Sequence, residues 1–162
     1  MAEHTRSSIT IDAAPDAVMT VIADFDRYPE WTGEVRRTEV LEADGQGRAA
    51  RVLLVLDAKT IRDEQTLAYT WAGPHEVRWT LEKSQMLRAL DGAYLLRPLA
   101  GGERTEVTYE LTVDVKIPML GMMKRKMEKI IIERALDGLK QRVESVPDAS
   151  ADPGPGSGSG TD

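Results

Sequence analysis

Alternation of apolar and polar residues predicts that the chain between residues 34 and 116 consists almost entirely of β-strands. The clearest stretch is 104–116, where apolar residues and threonine occupy every second position and mostly charged residues lie between them. Similar stretches precede it at 35–43, 49–57, 60–71, 75–83 and 88–98, and turns are predicted between them, including one at Ala58-Lys59. Because the gaps are short enough for hairpins, the six strands are predicted to form an antiparallel meander.

Helical spacing of apolar residues predicts elements on both sides of these strands. A first strand at 7–13 is followed by a short helix at 15–24, which begins with Pro15, and by one further helical turn in the aromatic segment 25–31. The longest periodic run is 118–145, a helix predicted to begin at Pro118 and to end before Pro147.

The apolar face of this long helix changes direction along its length. The first half has one stripe and the second half another, and Arg134 and Gly138 lie between them. The two stripes are Leu120, Met123, Met127, Ile130 and Ile131, and then Ile132, Ala135, Leu136, Leu139 and Val143. We therefore expect the first half to close a cavity and the second half to anchor the helix to the sheet.

This order of elements predicts an α+β fold, with a curved antiparallel sheet of about seven strands, two short helices after the first strand, and a long C-terminal helix covering one face. Residues 1–146 are predicted to form this single domain. Residues 147–162 contain mainly Gly, Pro, Ser and Asp and are predicted to be a disordered tail.

Composition excludes several classes of function. The 162 residues include no cysteine and two histidines, so thiolate and multi-histidine metal sites are not expected. No phosphate loop, dinucleotide fingerprint or metal-ligand spacing occurs, and therefore no cofactor is expected. The net charge of −6 argues against nucleic acid as a partner. Neither a membrane-spanning run nor a signal peptide is evident, so a cytoplasmic location is expected.

Aromatic and apolar side chains on the inward face of the predicted sheet, together with the first half of the long helix, are the candidate ligand contacts. They are Val55, Leu67, Tyr69, Trp71, Trp79, Tyr94, Tyr109, Met123, Met127 and Ile131. Plain core packing is the alternative interpretation for each of them. Arg134 is a further candidate: if it is buried, it needs a carboxylate such as Asp57, Asp63 or Glu64, or a ligand oxygen, and if the helix bends it reaches solvent.

Several segments resemble the START-like, helix-grip (SRPBCC) superfamily, which includes polyketide cyclase/dehydrase, coenzyme Q-binding and lipid-transfer proteins. The resemblance covers residues 5–145 and lies in segments 11–18, 22–31 and 35–40, in the strand around 105–109 and in Ile117-Pro118. It implies a helix-grip, Bet v 1-like fold with a deep apolar cavity between the sheet and the last helix. The implied ligand is a lipid, an isoprenoid or quinone, or a polyketide.

Three functions remain open at this level. The first is a carrier or sequestering protein for a hydrophobic small molecule. The second is a polyketide aromatase/cyclase or dehydratase that uses Arg, Tyr or Asp groups in the cavity. The third is a membrane-surface module in which the methionine-rich helix start and Lys124-Arg125-Lys126 contact anionic lipid.

Overall fold

The computed structural model describes residues 4–57 and 62–145. Seven strands form one antiparallel sheet in the order β1-β7-β6-β5-β4-β3-β2. They are β1 (Thr5–Ile11), β2 (Val35–Ala43), β3 (Ala49–Asp57), β4 (Arg62–Trp71), β5 (Glu76–Lys83), β6 (Leu87–Leu99) and β7 (Arg104–Val115). The predicted meander from β2 to β7 is therefore present, and β1 closes the sheet by pairing with β7.

Two α-helices and two short 3₁₀ helices accompany the sheet. Helix α1 (Pro15–Ala23) and a 3₁₀ helix (Phe25–Glu30) follow β1, a 3₁₀ turn (Ala100–Gly102) joins β6 to β7, and helix α2 (Gly121–Ser145) is the last element. Helix α2 packs against β1, β7 and α1. The α+β, helix-grip fold class predicted from the sequence is thus confirmed.

Helix α2 differs from its prediction in where it starts and in which residues its first half buries. It begins at Gly121, so Pro118 lies in the segment before the helix. The predicted stripe of the first half was wrong, because Leu120, Met123 and Ile130 are exposed. The buried face of the whole helix follows one line, at spacings of three or four residues, through Glu128, Ile132, Leu136, Leu139 and Val143. The second half therefore anchors the helix as expected.

The irregular positions of the α2 pattern have separate structural causes. A Cβ atom at Gly138 would lie 2.9 Å from the carbonyl oxygen of Trp31, so glycine allows the helix to approach the segment after the 3₁₀ helix. Arg134 points outward, and its guanidinium lies 2.7 Å from the carboxylate of Glu34. The solvent-facing alternative for Arg134 is therefore the correct one.

The register of β3 corrects a further prediction. Val52 pairs with Leu67 and is buried, whereas Val55 pairs with Glu64 on the opposite, outer face. The prediction for Val55 as an inward residue was wrong. Arg51 and Asp57, the two polar residues of β3, lie four and two positions from Val55 and share its outer face, so the sequence carried a weak signal for the correct orientation.

Two predictions fall outside the described residues. These are the turn at Ala58-Lys59 and the disordered tail at 147–162.

Candidate functional site

The inner face of the sheet carries a continuous cluster of aromatic side chains. Trp79 is at its centre, with ring centroids 5.7 Å from Tyr69, 5.4 Å from Tyr94 and 5.5 Å from Tyr109. The rings of Tyr94 and Tyr109, which pair across β6 and β7, are 4.8 Å apart. Contacts of Tyr69 with Trp71 and Phe25 extend the cluster across β4 to the 3₁₀ helix. The sheet's interior is thus lined by rings drawn from four strands.

A glycine on β6 makes room for the central ring of this cluster. A Cβ atom at Gly92 would lie 2.4 Å from the indole of Trp79, with which Gly92 pairs across β5 and β6. Gly92 is therefore a point of close approach between β6 and the indole, which any larger residue would displace.

All four tyrosines of the chain contribute to this interior. Burial, assisted by the neighbouring tyrosines, raises the pKa of Tyr28, Tyr69 and Tyr94, and burial alone raises that of Tyr109. The hydroxyl of Tyr28 donates a hydrogen bond to the carbonyl oxygen of Ile22 at 2.5 Å. The hydroxyls of the other three have no hydrogen-bond partner among the described residues. They are neutral donors at ordinary pH and are available to an acceptor oxygen.

One end of the inner face is less completely covered than the rest. Leu81, Leu87 and Leu90 lie there at the ends of β5 and β6, and all three are only half-buried although they pack against the core. On the facing side, Met127 and Ile131 of α2 are also half-buried. We call the part of the inner face marked by these half-buried side chains the open end.

Two buried polar side chains lie near the open end on β4. Asp63 accepts hydrogen bonds from the hydroxyl of Ser84 at 2.6 Å and from the backbone N–H of Gln85 at 2.9 Å, and Gln65 donates to it at 3.1 Å. Ser84 in turn accepts the N–H of Leu87 at 2.8 Å. Asp63 thus holds the turn between β5 and β6, and its oxygens are already occupied by protein donors.

Helix α2 is attached to the sheet beside the open end by Glu128, which is 1% exposed. Its carboxylate accepts the hydroxyl of Thr5 at 2.5 Å and the backbone N–H of Val113 at 2.7 Å. In the described residues, the pairing of β1 with β7 ends at Thr5 and Leu111, two positions short of Val113. Glu128 therefore supplies the acceptor that a strand neighbour would otherwise provide.

The chain matches the model of a known protein family. The model of the family described as polyketide cyclase / dehydrase and lipid transport matches residues 2–144. The chain belongs to this family. No curated protein sequence matches the chain.

Solved structures share the fold of this chain. A START superfamily protein from Mycobacterium smegmatis is similar at a TM-score of 0.84 and 22% identity, covering 90% of this chain and 100% of that one. The ZhuI aromatase/cyclase from a Streptomyces species is similar at a TM-score of 0.72 and 19% identity, covering 88% and 93%. A protein from Thermus thermophilus is similar at a TM-score of 0.71 and 25% identity, covering 88% and 98%.

The structure brings most of the predicted site residues of this family member to one face. Leu67, Trp79, Tyr94 and Tyr109 are buried on the inner face, and Tyr69, Trp71, Met127 and Ile131 are half-buried at its margins. Met123 is 55% exposed at the start of α2, and neither Arg134 nor Val55 faces the interior.

Two cavities indent the molecule away from this interior. One, of about 310 Å³, lies on the outer face of the sheet beside Thr70, Arg78 and the buried Glu110. The other, of about 610 Å³, lies between α1 and the end of α2, beside Ala17 and Arg142. Neither of these two cavities lies between the inner face of the sheet and the first half of α2.

Sequence reasoning missed Gln65 and Glu128 as inward polar groups. Gln65 could have been found, because it lies two residues before Leu67 and so shares its face of β4. Glu128 had no such signal, since a glutamate in a lysine-rich helix is expected to face solvent.

The described residues contain neither a metal-binding cluster nor a membrane-spanning helix. Within 4–57 and 62–145, no cluster of three or more His, Asp or Glu side chains suited to a metal is found. Among the same residues, no helix combines the length and hydropathy that crossing a membrane requires. The cytoplasmic location stays a prediction.

Proposed function

We propose that the chain binds a hydrophobic small molecule between the inner face of the sheet and α2, and acts as its carrier or sequestering protein. The observation that supports this most directly is the set of three tyrosine hydroxyls on the inner face, those of Tyr69, Tyr94 and Tyr109, which have no hydrogen-bond partner among the described residues. In the same residues, the fully buried side-chain polar atoms without a partner are instead Trp31 Nε1 and Thr32 Oγ1, so the three tyrosine hydroxyls lack a partner but remain accessible. An acceptor atom on a ligand would supply that partner.

The same hydroxyls define the ligand chemistry. The raised pKa values keep the phenols of Tyr69, Tyr94 and Tyr109 protonated, so they donate to an oxygen and do not accept a proton. The side chains around these hydroxyls are aromatic and aliphatic. A quinone, a polyketide or a lipid with a carbonyl or hydroxyl group satisfies both requirements.

Entry is proposed at the open end. Met127 and Ile131 of α2 and Leu81 and Leu90 of the sheet are half-buried and pack against the core, so we propose that a ligand entering between helix and sheet displaces them. A methionine side chain rearranges at low cost because it is unbranched. Glu128 lies one residue after Met127 and holds α2 to β7, so the movement involves side chains and the first turns of the helix.

Native mass spectrometry of the protein isolated from its own host tests the proposal. A retained mass that is released on unfolding is the expected result. In parallel, titration of the purified protein with a naphthoquinone as probe should quench tryptophan fluorescence saturably, because Trp79 is at the centre of the cluster. Absence of both a retained molecule and saturable quenching would overturn the proposal.

Tyrosine-to-phenylalanine variants locate the site. Tyr94→Phe and Tyr109→Phe keep the ring and remove the donor, so each should weaken probe binding by about 2- to 13-fold, equivalent to about 0.5–1.5 kcal/mol for one hydrogen bond. Tyr28→Phe is the matched control, because its hydroxyl already donates to Ile22. It should lower stability and leave affinity unchanged. Equal affinity in all three variants would contradict the assigned role of the hydroxyls.

An aromatase/cyclase or dehydratase is the second candidate, and it is favoured by the similarity to ZhuI and by the same phenols, which can act as proton donors to a keto group. Against it, Arg134 points away from the interior and Asp63 is engaged by Ser84 and Gln85. Incubation with a poly-β-ketone substrate separates the two functions. Recovery of an aromatised product would favour catalysis, whereas recovery of unchanged substrate bound to the protein would favour carriage.

A further inference from the structure

Exposed apolar side chains are concentrated around the start of α2. Six of the nine large hydrophobic residues that are exposed in the described structure fall within residues 117–130. They are Ile117, Met119, Leu120, Met122, Met123 and Ile130, and three of them are at least two-thirds exposed: Ile117 at 68%, Leu120 at 72% and Met122 at 76%. We call this the 117–130 surface. Concentration of this kind in one place marks an interaction site more often than scattered exposure does.

The exposure results from the position of the helix start. Arg125 lies seven residues before Ile132 and therefore on the same side of α2, yet Arg125 is exposed while Ile132 is fully buried. The first turn of α2 thus extends past the part of the sheet that covers the rest of the helix. Both its outer and its inner side are open to a partner.

The charges of this surface have one sign. Lys116, Lys124, Arg125, Lys126 and Lys129 are the basic residues of 116–130. The single acid in the same stretch is Glu128, which is turned inward and bound by Thr5 and Val113. None of Lys124, Arg125, Lys126 and Lys129 forms an ion pair with another described residue. A chain with a net charge of −6 therefore displays a local group of cations around its most exposed apolar side chains.

We propose that the 117–130 surface docks the protein on the surface of an anionic phospholipid bilayer. Leu120 and Met122 enter the boundary between headgroups and acyl chains, which is reached at a depth of roughly 5–10 Å. The surrounding lysines and Arg125 contact lipid phosphates and benefit from the negative surface potential. This proposal does not depend on the proposed ligand, although it would bring Met127 near the bilayer.

Two other occupants fit the chemistry less well. A second copy of the chain placed on the same surface by a two-fold axis would set cations against cations, at a cost in free energy. A nucleic acid would use the cations and leave Leu120 and Met122 in water. The bilayer is the partner that uses the apolar and the basic residues together.

Vesicle flotation tests the proposal with the full chain and two lipid compositions, phosphatidylcholine alone and phosphatidylcholine with phosphatidylglycerol. The wild type should float with the anionic vesicles, and the bound fraction should fall as salt is added. The double variant Leu120→Ser/Met122→Ser should lose binding. The control is Val40→Ser/Leu41→Ser, an exposed apolar pair on β2 (41% and 45%) outside the 117–130 surface, which should bind as the wild type does.

Single charge reversals test the electrostatic part. Lys126→Glu should weaken binding to anionic vesicles by at least about 5-fold, because each cation near the surface contributes about that factor. Arg104→Glu is the control, since Arg104 begins β7 at the end opposite to the segment that leads into α2. All six substituted residues are exposed, so circular dichroism should be unchanged.

Three outcomes would overturn the proposal. They are failure of the wild type to float, equal flotation of the Leu120→Ser/Met122→Ser variant and the wild type, and equal binding to neutral and anionic vesicles. Analytical ultracentrifugation provides a separate check. A dimer that is abolished by Leu120→Ser/Met122→Ser would assign the surface to a second copy and would likewise overturn bilayer docking.

Discussion

Replacement of Glu128 by alanine is expected to destabilise the fold by about 1–4 kcal/mol. The substitution leaves the buried N–H of Val113 without an acceptor, which costs about 1–3 kcal/mol. It also removes one buried methylene group, worth about 0.8 kcal/mol. The higher helix propensity of alanine offsets less than about 0.7 kcal/mol of this loss. The net effect is a weaker attachment of the first half of α2 to β7.

Glu128→Gln is the matched control for this prediction. Its amide oxygen can accept the N–H of Val113, and its amide nitrogen can donate to the hydroxyl of Thr5. We expect its free energy of unfolding to stay within about 1 kcal/mol of the wild-type value, because both contacts are kept.

Urea unfolding followed by circular dichroism measures both variants. In thermal unfolding, each kcal/mol lost from the free energy of unfolding should lower the Tm by about 2–4 °C for a chain of this size. If Glu128→Ala and Glu128→Gln are equally stable, the two hydrogen bonds of Glu128 do not hold α2 in place, and the proposed attachment at the open end is refuted.

The other predictions concern the aromatic interior. Gly92→Ala should lower the free energy of unfolding by about 1–3 kcal/mol, because the added Cβ would overlap the indole of Trp79. The same overlap should change the near-ultraviolet circular dichroism of tryptophan. An unchanged spectrum would contradict the close packing of Gly92 against Trp79. The four tyrosines have folded-state pKa values raised above 10.0, so the stability they confer is complete below about pH 10 and is lost as the pH rises towards those values. The free energy of unfolding should fall by about 1.4 kcal/mol per pH unit for each such tyrosine above pH 10, as urea titrations at increasing pH can measure. Tyrosinate absorbance that rises near pH 10 in the folded protein would argue against burial.

The aromatic part of the candidate site could be predicted from the sequence because its strands alternate. In β4, β5 and β7, polar residues mark the outward positions, so Leu67, Trp79 and Tyr109 are assigned to the inner face by spacing alone. In β3 that mark is weak, because Arg51 and Asp57 are its only polar residues; both share the outer face with Val55. Val55 and Val52 are equivalent in type, and the pairing of Val52 with Leu67 establishes which of them turns inward.

The buried face of α2 was predicted less well than the inner face of the sheet. Hydropathy assigns a residue to a face from the character of its side chain and takes no account of the residues that it contacts. Met123 and Ile130 fit the apolar stripe, but Met123 precedes the first buried residue of the helix, and Ile130 is two positions from the fully buried Ile132 and therefore on the opposite side of the helix. Glu128 has the opposite character and is buried, because a backbone donor of β7 lies within reach of its carboxylate. The same limit applies to Arg134, whose partner Glu34 is 100 positions away in sequence.

By itself, the sequence determined the order and approximate ends of the elements, the antiparallel meander and the family, since periodicity, turn residues and local motifs are properties of neighbouring residues. The tertiary structure decided which face of β3 is buried, which side of α2 meets the sheet and where the helix is left uncovered. These depend on pairing register and on contacts between residues distant in the chain. The start of α2, which the sequence assigned to closing a cavity, is an exposed apolar and basic surface for this reason.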